Sequence, residues 1–162
     1  MRAADLQVAL PVVRRETTAV EAGRLIAEGS LVGLVVANND GVPVAILSAV
    51  DVLQLMLPDY VLDDPWLAGV FDEKGGGELW EHLDERTIGE LMDDDGVTVR
   101  GILTIEPDDT LIEIAARMVD ARTQIARVSG SANDAPTFVT LPSVMSAILG
   151  YWAGTGPESR SE

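Results

Sequence analysis

The sequence predicts an α+β protein built from two copies of one β-α-β-β-α unit, with an acidic helical insert between them. Residues 8–57 match residues 100–149 at a constant offset of 92 positions, without a gap. Each segment carries a helix-start motif, Thr-x-x-Glu, followed by two runs with the composition of strands. Because a unit of about 50 residues buries little surface alone, the two copies are expected to pack together and share one core.

Composition narrows the class of protein. Apolar residues make up 47% of the 162 positions and aromatic residues only 4%, which predicts a globular chain with an aliphatic core. The 27 acidic and 11 basic side chains give a net charge of −16, which disfavours nucleic acid and anionic membranes as partners. Cysteine is absent and there is one histidine, so we predict no metal site of the usual Cys or His type. Without a bilayer-spanning run or a signal-peptide pattern, a cytoplasmic protein is expected.

The repeat depends on matched positions more than on identity. The identical pairs are Thr18 and Thr110, Glu21 and Glu113, Val36 and Val128, Val52 and Val144, and Leu57 and Leu149. So few identities can arise by chance, but the matched apolar and capping positions favour a duplicated unit.

The elements follow in the same order in both copies. The first copy predicts an extended piece, a helix after Thr18 that ends at Gly29, a strand, a hairpin turn, a return strand and a closing helix. Its remaining elements are placed at 10–14, 31–37, 39–41, 42–47 and 49–57. In the second copy the extended piece is placed at 102–106 and the first helix begins after Thr110. The strand, the turn, the return strand and the closing helix follow at 125–129, 130–136, 137–140 and 142–149.

This unit resembles the cystathionine-β-synthase (CBS) domain. The resemblance rests on the Thr-x-x-Glu helix start, the β-α-β-β-α order, and residues 45–51, Ala-Ile-Leu-Ser-Ala-Val-Asp, which are similar to the family's nucleotide motif with Ala in place of Gly. It implies a tandem pair of repeats, packed by pseudo-two-fold symmetry, that regulates other proteins without catalysis. It also implies an adenosine-containing ligand, AMP, ADP, ATP or S-adenosylmethionine, in a cleft between the two domains.

The resemblance makes Ser48 and Asp51 the principal candidates for ligand binding. A carboxylate accepts both vicinal hydroxyls of a ribose, and a helix start with a Ser hydroxyl suits a phosphate. The same Ser-x-x-Asp pattern is also a capping box that stabilises a helix by about 1 kcal/mol without any ligand, and this alternative stays open. In the second copy the motif has Ser143 in place of Asp, so its cleft is expected to be empty or to bind something else.

Further residues complete the predicted site. Val35, Val36 and Val50 are expected to contact an adenine, and Thr140 is the counterpart of Ser48. Arg14 and Arg15, which precede the first helix, are the candidates for the positive charge that a phosphate needs, with solvation or pairing to Glu16 as the alternative. Arg127 interrupts an apolar strand, and because a buried Arg needs a partner, it is predicted to meet a ligand or an interface.

Residues 58–97 form the insert and hold 13 acidic residues and two basic ones. Helices are predicted at 65–72 and 78–84, separated by three glycines, and a capping box at Thr87 and Glu90 predicts a third. Asp93 to Gly96 is interpreted as a solvated turn in preference to a Mg²⁺ or Ca²⁺ site, because consecutive carboxylates point apart.

The predicted organisation is repeat one at 8–57, the insert at 58–97, repeat two at 98–150 and a flexible tail at 151–162. A homodimer is expected, and the regulated partner is expected to be a transporter, a channel or an enzyme. The alternative is a ligand-free dimerisation module that presents the acidic insert to a protein partner. No nucleophile motif or Gly-rich phosphate loop supports a third possibility, an enzyme.

Overall fold

A computed structural model of the chain describes residues 1–70, 77, 80–95, 97, 99–130 and 134–154. The chain forms two compact units. The first unit is Pro11–Gly101, and the second unit combines Met1–Leu10 with Ile102–Glu162. Each unit is described by itself.

The helices and strands follow the predicted order. The helices are α1 (Ala3–Leu6), α2 (Ala19–Gly29), α3 (Ala49–Leu55), α4 (Asp59–Asp63), α5 (Ile88–Met92), α6 (Leu111–Asp120) and α7 (Leu141–Trp152). The strands are β1 (Val12–Val13), β2 (Gly33–Ala37), β3 (Pro43–Ser48), β4 (Arg100–Gly101), β5 (Leu103–Ile105), β6 (Ile125–Val128) and β7 (Thr137–Thr140). Two 3₁₀ turns, Pro65–Val70 and Leu83–Glu85, lie in the insert.

In the first unit, a four-stranded sheet has the order β1-β2-β3-β4, with β1 parallel to β2 and the other pairs antiparallel. One face of the sheet is covered by α2, α3 and α5. The buried core on that face is Val13, Ala19, Ala22, Leu34, Val36, Ala45, Leu47, Val52, Leu55, Ile88 and Leu91.

In the second unit, β5 runs parallel to β6, and β6 runs antiparallel to β7. Its core is Ala3, Leu6, Ile105, Ile114, Met118, Ala126, Val128, Val139 and Val144. Two of these residues come from α1, an element that the sequence analysis did not predict because four residues are too few to show helical periodicity.

The structure confirms the duplication at the level of strand register. Leu34 lies opposite Leu47 in the first unit, and their counterparts Ala126 and Val139 lie opposite each other in the second. Because equivalent residues pair in both sheets, the predicted β-α-β-β-α unit occurs twice.

The boundaries of the compact units do not coincide with those of the repeats, and pairing at the sheet edges shows why. Arg100, the first residue of the second matched segment, pairs with Ile46 at the edge of the first sheet. Val8, the first residue of the first matched segment, bridges Phe138, the counterpart of Ile46, in the second unit. The first residue of each matched segment therefore pairs with the sheet formed by the other segment.

The helix ends refine the predicted boundaries. Gly29 is the last residue of α2, but the left-handed conformation falls on Ser30, with a φ of 48°. Its counterpart Arg122 has a φ of 51°, so both repeats turn the chain in the same way. Helix α7 continues to Trp152, past the predicted start of the tail, and residues 155–162 lie outside the described residues.

The predicted capping boxes are present in α2 and α6. Thr18 accepts a hydrogen bond from the Glu21 N–H and the Glu21 carboxylate accepts one from the Thr18 N–H, at 3.2 and 3.1 Å. Thr110 and Glu113 repeat the arrangement. The backbone N–H and hydroxyl of Thr110 lower the pKa of Glu113 because they stabilise its ionised form.

The insert departs from its prediction. Pro65–Val70 is a 3₁₀ turn instead of the start of a helix, and Phe71 and Asp72 lie outside the described residues, as do the first two residues of the helix predicted at 78–84. Helix α5 forms as predicted and buries Ile88 in the core of the first unit. Its capping box does not form in the described structure, because Glu90 instead accepts a hydrogen bond from Arg86 Nε at 2.9 Å.

Among the described residues, none of the helices has both the length and the apolar character needed to cross a bilayer.

Candidate functional site

The junction of β3 and α3 carries the two principal candidates, Ser48 and Asp51. Strand β3 ends at Ser48, whose extended backbone makes it the N-cap of α3. The Ser48 Oγ accepts a hydrogen bond from the Asp51 N–H at 3.1 Å, and Asp51 Oδ2 accepts one from the Ser48 N–H at 3.2 Å. Both side chains therefore cap the helix, as the structural alternative predicts.

In its capping role, Asp51 can still accept further hydrogen bonds. A carboxylate offers about four lone-pair sites, and one backbone bond uses only one of them. Ser48 is exposed and Asp51 is half-buried, so a ligand can approach both from solvent. Val50, between them, is 73% exposed and presents an apolar side chain at the same place.

Of the two strand residues expected to contact an adenine, Val36 does not fit. It is fully buried in the core between the sheet and the helices of the first unit, so its side chain cannot touch a ligand. Because side chains alternate along a strand, Val35 points to the opposite face of the sheet, where it is also buried. The two residues cannot contact one face of a base together.

Arg14 and Arg15 lie at the wrong end of the sheet for the predicted phosphate role. Ser48 pairs with Gly33 at the start of β2, whereas β1 runs parallel to β2 and leads Arg14 past Val36 toward the other end. Four residues of strand separate the two ends by about 13 Å.

The structure gives both arginines other contacts. The guanidinium of Arg14 donates to the Asn39 carbonyl at 3.4 Å, beside the β2–β3 turn. That of Arg15 forms an ion pair with Asp93 at 2.7 Å. Within the first unit, the two arginines therefore do not supply positive charge next to Ser48 and Asp51.

The second repeat lacks a carboxylate at the equivalent helix start. Thr140 is the N-cap of α7, and the Ser143 Oγ accepts a hydrogen bond from the Thr140 N–H at 3.2 Å. Ser143 Oγ also donates to the Thr140 carbonyl at 2.8 Å. The box is closed by hydroxyl groups alone, so this position offers no anionic acceptor for a ribose.

Arg127 lies in the middle of β6, between Thr104 of β5 and Phe138 of β7. It is half-buried and lines a pocket in the second unit. Its Nε is buried and has no hydrogen-bond partner within the described ranges. The sequence singled out Arg127 correctly as unusual, but gave no indication of the other polar residues of that pocket, Gln7, Ser129 and Thr137.

In the acidic turn, the carboxylate of Asp93 forms an ion pair with the guanidinium of Arg15. No group of three acidic or histidine side chains in metal-binding geometry occurs in the part of the chain that the structure describes.

Comparison with solved structures identifies the class of fold. A CBS domain-containing protein of unknown function from Kribbella flavida is 29% identical, with a TM-score of 0.74 over 92% of this chain and 99% of that one. CBSX2 from Arabidopsis thaliana, solved in complex with AMP, is 19% identical, with a TM-score of 0.60 over 93% of this chain and 98% of that one.

A third similar structure is the CBS domain of a bacterial CNNM/CorC family Mg²⁺ transporter in complex with ATP. It is 15% identical, with a TM-score of 0.61 over 93% of this chain and 88% of that one. No protein-family model matches the sequence, and a search of the curated proteins finds no match. The chain has the fold of a tandem CBS domain pair, as the resemblance implied.

Proposed function

We propose that the protein is a regulatory module that binds an adenine nucleotide at Ser48 and Asp51 and signals its occupancy to a partner protein. The observation that carries this proposal is the Asp51 carboxylate, which lies in the first turn of α3 directly after a buried strand. Similar structures in complex with AMP and with ATP support an adenosine-containing ligand.

The chemistry of the proposed contact is specific. The Asp51 carboxylate accepts the 2′- and 3′-hydroxyl groups of the ribose as charge-assisted hydrogen bonds, which are roughly twice as strong as neutral ones. Val50 packs against the ligand from the same turn. S-adenosylmethionine carries the same ribose, so Asp51 recognises the adenosyl group and leaves the choice among these ligands to other contacts.

The proposed output is regulation without catalysis. A ligand shifts a conformational equilibrium only by the difference between its affinities for the two states, and a partner that binds one state then responds to the ligand. The similarity to a CBS domain of a Mg²⁺ transporter supports a transporter as one type of partner.

Isothermal titration with AMP, ADP, ATP and S-adenosylmethionine tests the nucleotide site. At least one of the four is expected to bind, and Asp51→Ala is expected to weaken its binding about 10- to 100-fold, because hydrogen bonds to a charged group contribute about 1.5–3 kcal/mol. Asp51→Asn separates the two roles of this residue, since an amide oxygen still accepts the Ser48 N–H but carries no charge.

The matched control is Ser143→Ala, which also introduces alanine, at the equivalent position of the second repeat. It is expected to leave nucleotide binding unchanged. Absence of heat with all four ligands would contradict the proposal, and so would equal affinities of the Asp51→Ala and Ser143→Ala variants.

The second candidate, a ligand-free dimerisation module, is favoured by α7. Met145, Ile148, Leu149 and Trp152 follow the i, i+3, i+4, i+7 spacing of one helix face, and all four are exposed, Trp152 at 86%. The adjoining face packs Val144 and Ala147 against the core. An apolar surface that extends this far beyond the face toward the core is expected to be covered as well.

We propose that a second copy of the chain covers this apolar stripe, which is formed by Met145, Ile148, Leu149 and Trp152. Two chains of net charge −16 repel each other over most of their surface, and the stripe is free of charged residues. A two-fold axis would bring the same patch of both chains together, so that one apolar surface is enough.

Sedimentation equilibrium tests the dimer. The native chain is expected to sediment as a dimer, and Leu149→Asp as a monomer, because two buried unpaired carboxylates would face each other. Val42→Asp, at an exposed valine of the β2–β3 turn, is expected to remain dimeric. A monomeric native chain, or a dimeric Leu149→Asp variant, would exclude this interface.

A further inference from the structure

A pocket of about 450 Å³ lies beside the β6–β7 connection of the second unit. Its lining includes five polar residues: Gln7, Arg127, Ser129, Asp134 and Thr137. Sites for small molecules in proteins usually measure about 300–1,000 Å³ and hold a few polar groups that orient the ligand. The volume and the lining of this pocket are of that kind.

A comparison of the two repeats shows that the fold does not require these polar residues. At the equivalent positions the first unit has Val35 for Arg127, Ala37 for Ser129 and Ala45 for Thr137 and, one position before the matched segments, Val99 for Gln7. The strands keep the same register in both units, so the apolar set serves the architecture equally well. The four apolar-to-polar differences at one place favour a role for this pocket besides folding.

The hydrogen bonds within the pocket leave one group without a partner. Thr137 Oγ1 donates to Gln7 Oε1 at 2.8 Å, and the Ser129 hydroxyl donates to the Glu106 carboxylate. The Nε of Arg127, by contrast, is buried with no partner in the described structure. A buried donor without an acceptor costs free energy, and a ligand that supplies the acceptor recovers that cost.

We propose that this pocket binds a small molecule with one oxyanion group, a carboxylate or a phosphate, held by the guanidinium of Arg127. The planar guanidinium donates two parallel hydrogen bonds to either group. Asp134 lines the same pocket, so hydroxyl or ammonium groups are favoured on the rest of the ligand and further negative charge is disfavoured. This site lies in the second unit and is separate from the proposed nucleotide site at Asp51.

Thermal unfolding with inorganic phosphate, succinate and glutamate tests the site. We expect at least one probe to raise the unfolding temperature of the native chain with saturation at millimolar concentration, and the responding probe distinguishes phosphate from carboxylate recognition. Arg127→Val, which installs the residue of the first repeat, is expected to weaken this binding about tenfold or more. Arg24→Val, the same change at an exposed arginine of α2, is the matched control and is expected to respond like the native chain.

The ligand-free Arg127→Val variant gives an independent result. Because the change replaces a buried unpaired donor with an apolar side chain, it is expected to unfold at or above the temperature of the native chain. A marked loss of stability would show that the fold itself needs Arg127 and would overturn the proposal. Equal responses of the native chain and Arg127→Val, or no saturable response to any probe, would also overturn it.

Discussion

Replacing Phe138 with alanine is expected to destabilise the protein by about 3–5 kcal/mol, the usual cost of emptying a large buried aromatic site. Phe138 is the largest of the fully buried side chains, with 0% exposure. It lies within β7, and its backbone exchanges hydrogen bonds with Val8 at 2.7 and 2.9 Å. Strand pairing on both sides limits how far the backbone can move to fill the space, so most of the cavity should remain.

Urea unfolding followed by circular dichroism measures this loss. Val119→Ala removes apolar atoms from a side chain that is 67% exposed, and its effect is expected to stay within about 0.5 kcal/mol. If Phe138→Ala costs no more than the control, Phe138 is not buried in solution and the described edge of the second sheet is incorrect.

Replacing Gly33 with alanine is expected to destabilise the first unit by about 1–3 kcal/mol through overpacking. A Cβ at this position would lie 2.6 Å from the carbonyl oxygen of Leu47, which belongs to the neighbouring strand and cannot rotate away. Gly33 also pairs with Ser48, so the forced movement should displace the start of α3 and weaken nucleotide binding.

The control for Gly33 is Gly101→Ala, a glycine in a strand of the same unit. A Cβ there meets none of the described atoms within 4 Å, so the substitution is expected to be neutral or slightly stabilising. Equal stabilities of the two variants would contradict the close approach of β2 and β3. The result is informative because Ile125 occupies the equivalent position of the second repeat, and the repeat alone predicts that a side chain is tolerated.

The two proposed sites place different chemistry in the two halves of a duplicated fold. The first repeat has a carboxylate at the helix start, Asp51, where the second has Ser143. The second repeat has Arg127 in the sheet, where the first has Val35. On these proposals, one unit offers an acceptor for sugar hydroxyl groups and the other a donor for an oxyanion.

The repeat and the caps were readable from the sequence because they depend on local patterns. A capping box joins residues three apart in the chain, so Thr18 and Glu21 form it without help from tertiary contacts. Thr87 and Glu90 show the limit of this reasoning. The carboxylate of Glu90 accepts a hydrogen bond from Arg86 instead, and the predicted capping box is not formed.

The predicted site was less accurate because binding residues meet through tertiary contacts. Arg14 and Arg15 precede a helix in the sequence, but the parallel pairing of β1 with β2 leads them away from Ser48. Val36 follows Val35 directly, and the alternation of a strand places the two side chains on opposite faces.

The sequence by itself determined the duplicated β-α-β-β-α unit, the helix starts and the likeness to CBS domains, because spacing and apolar periodicity encode local structure. Only the tertiary structure decided which residues complete each sheet, where the arginines lie and how Gln7 comes to line a pocket with Arg127. The physical reason is that strand pairing joins residues more than a hundred positions apart, such as Val8 and Phe138, and no local pattern in the chain records that pairing.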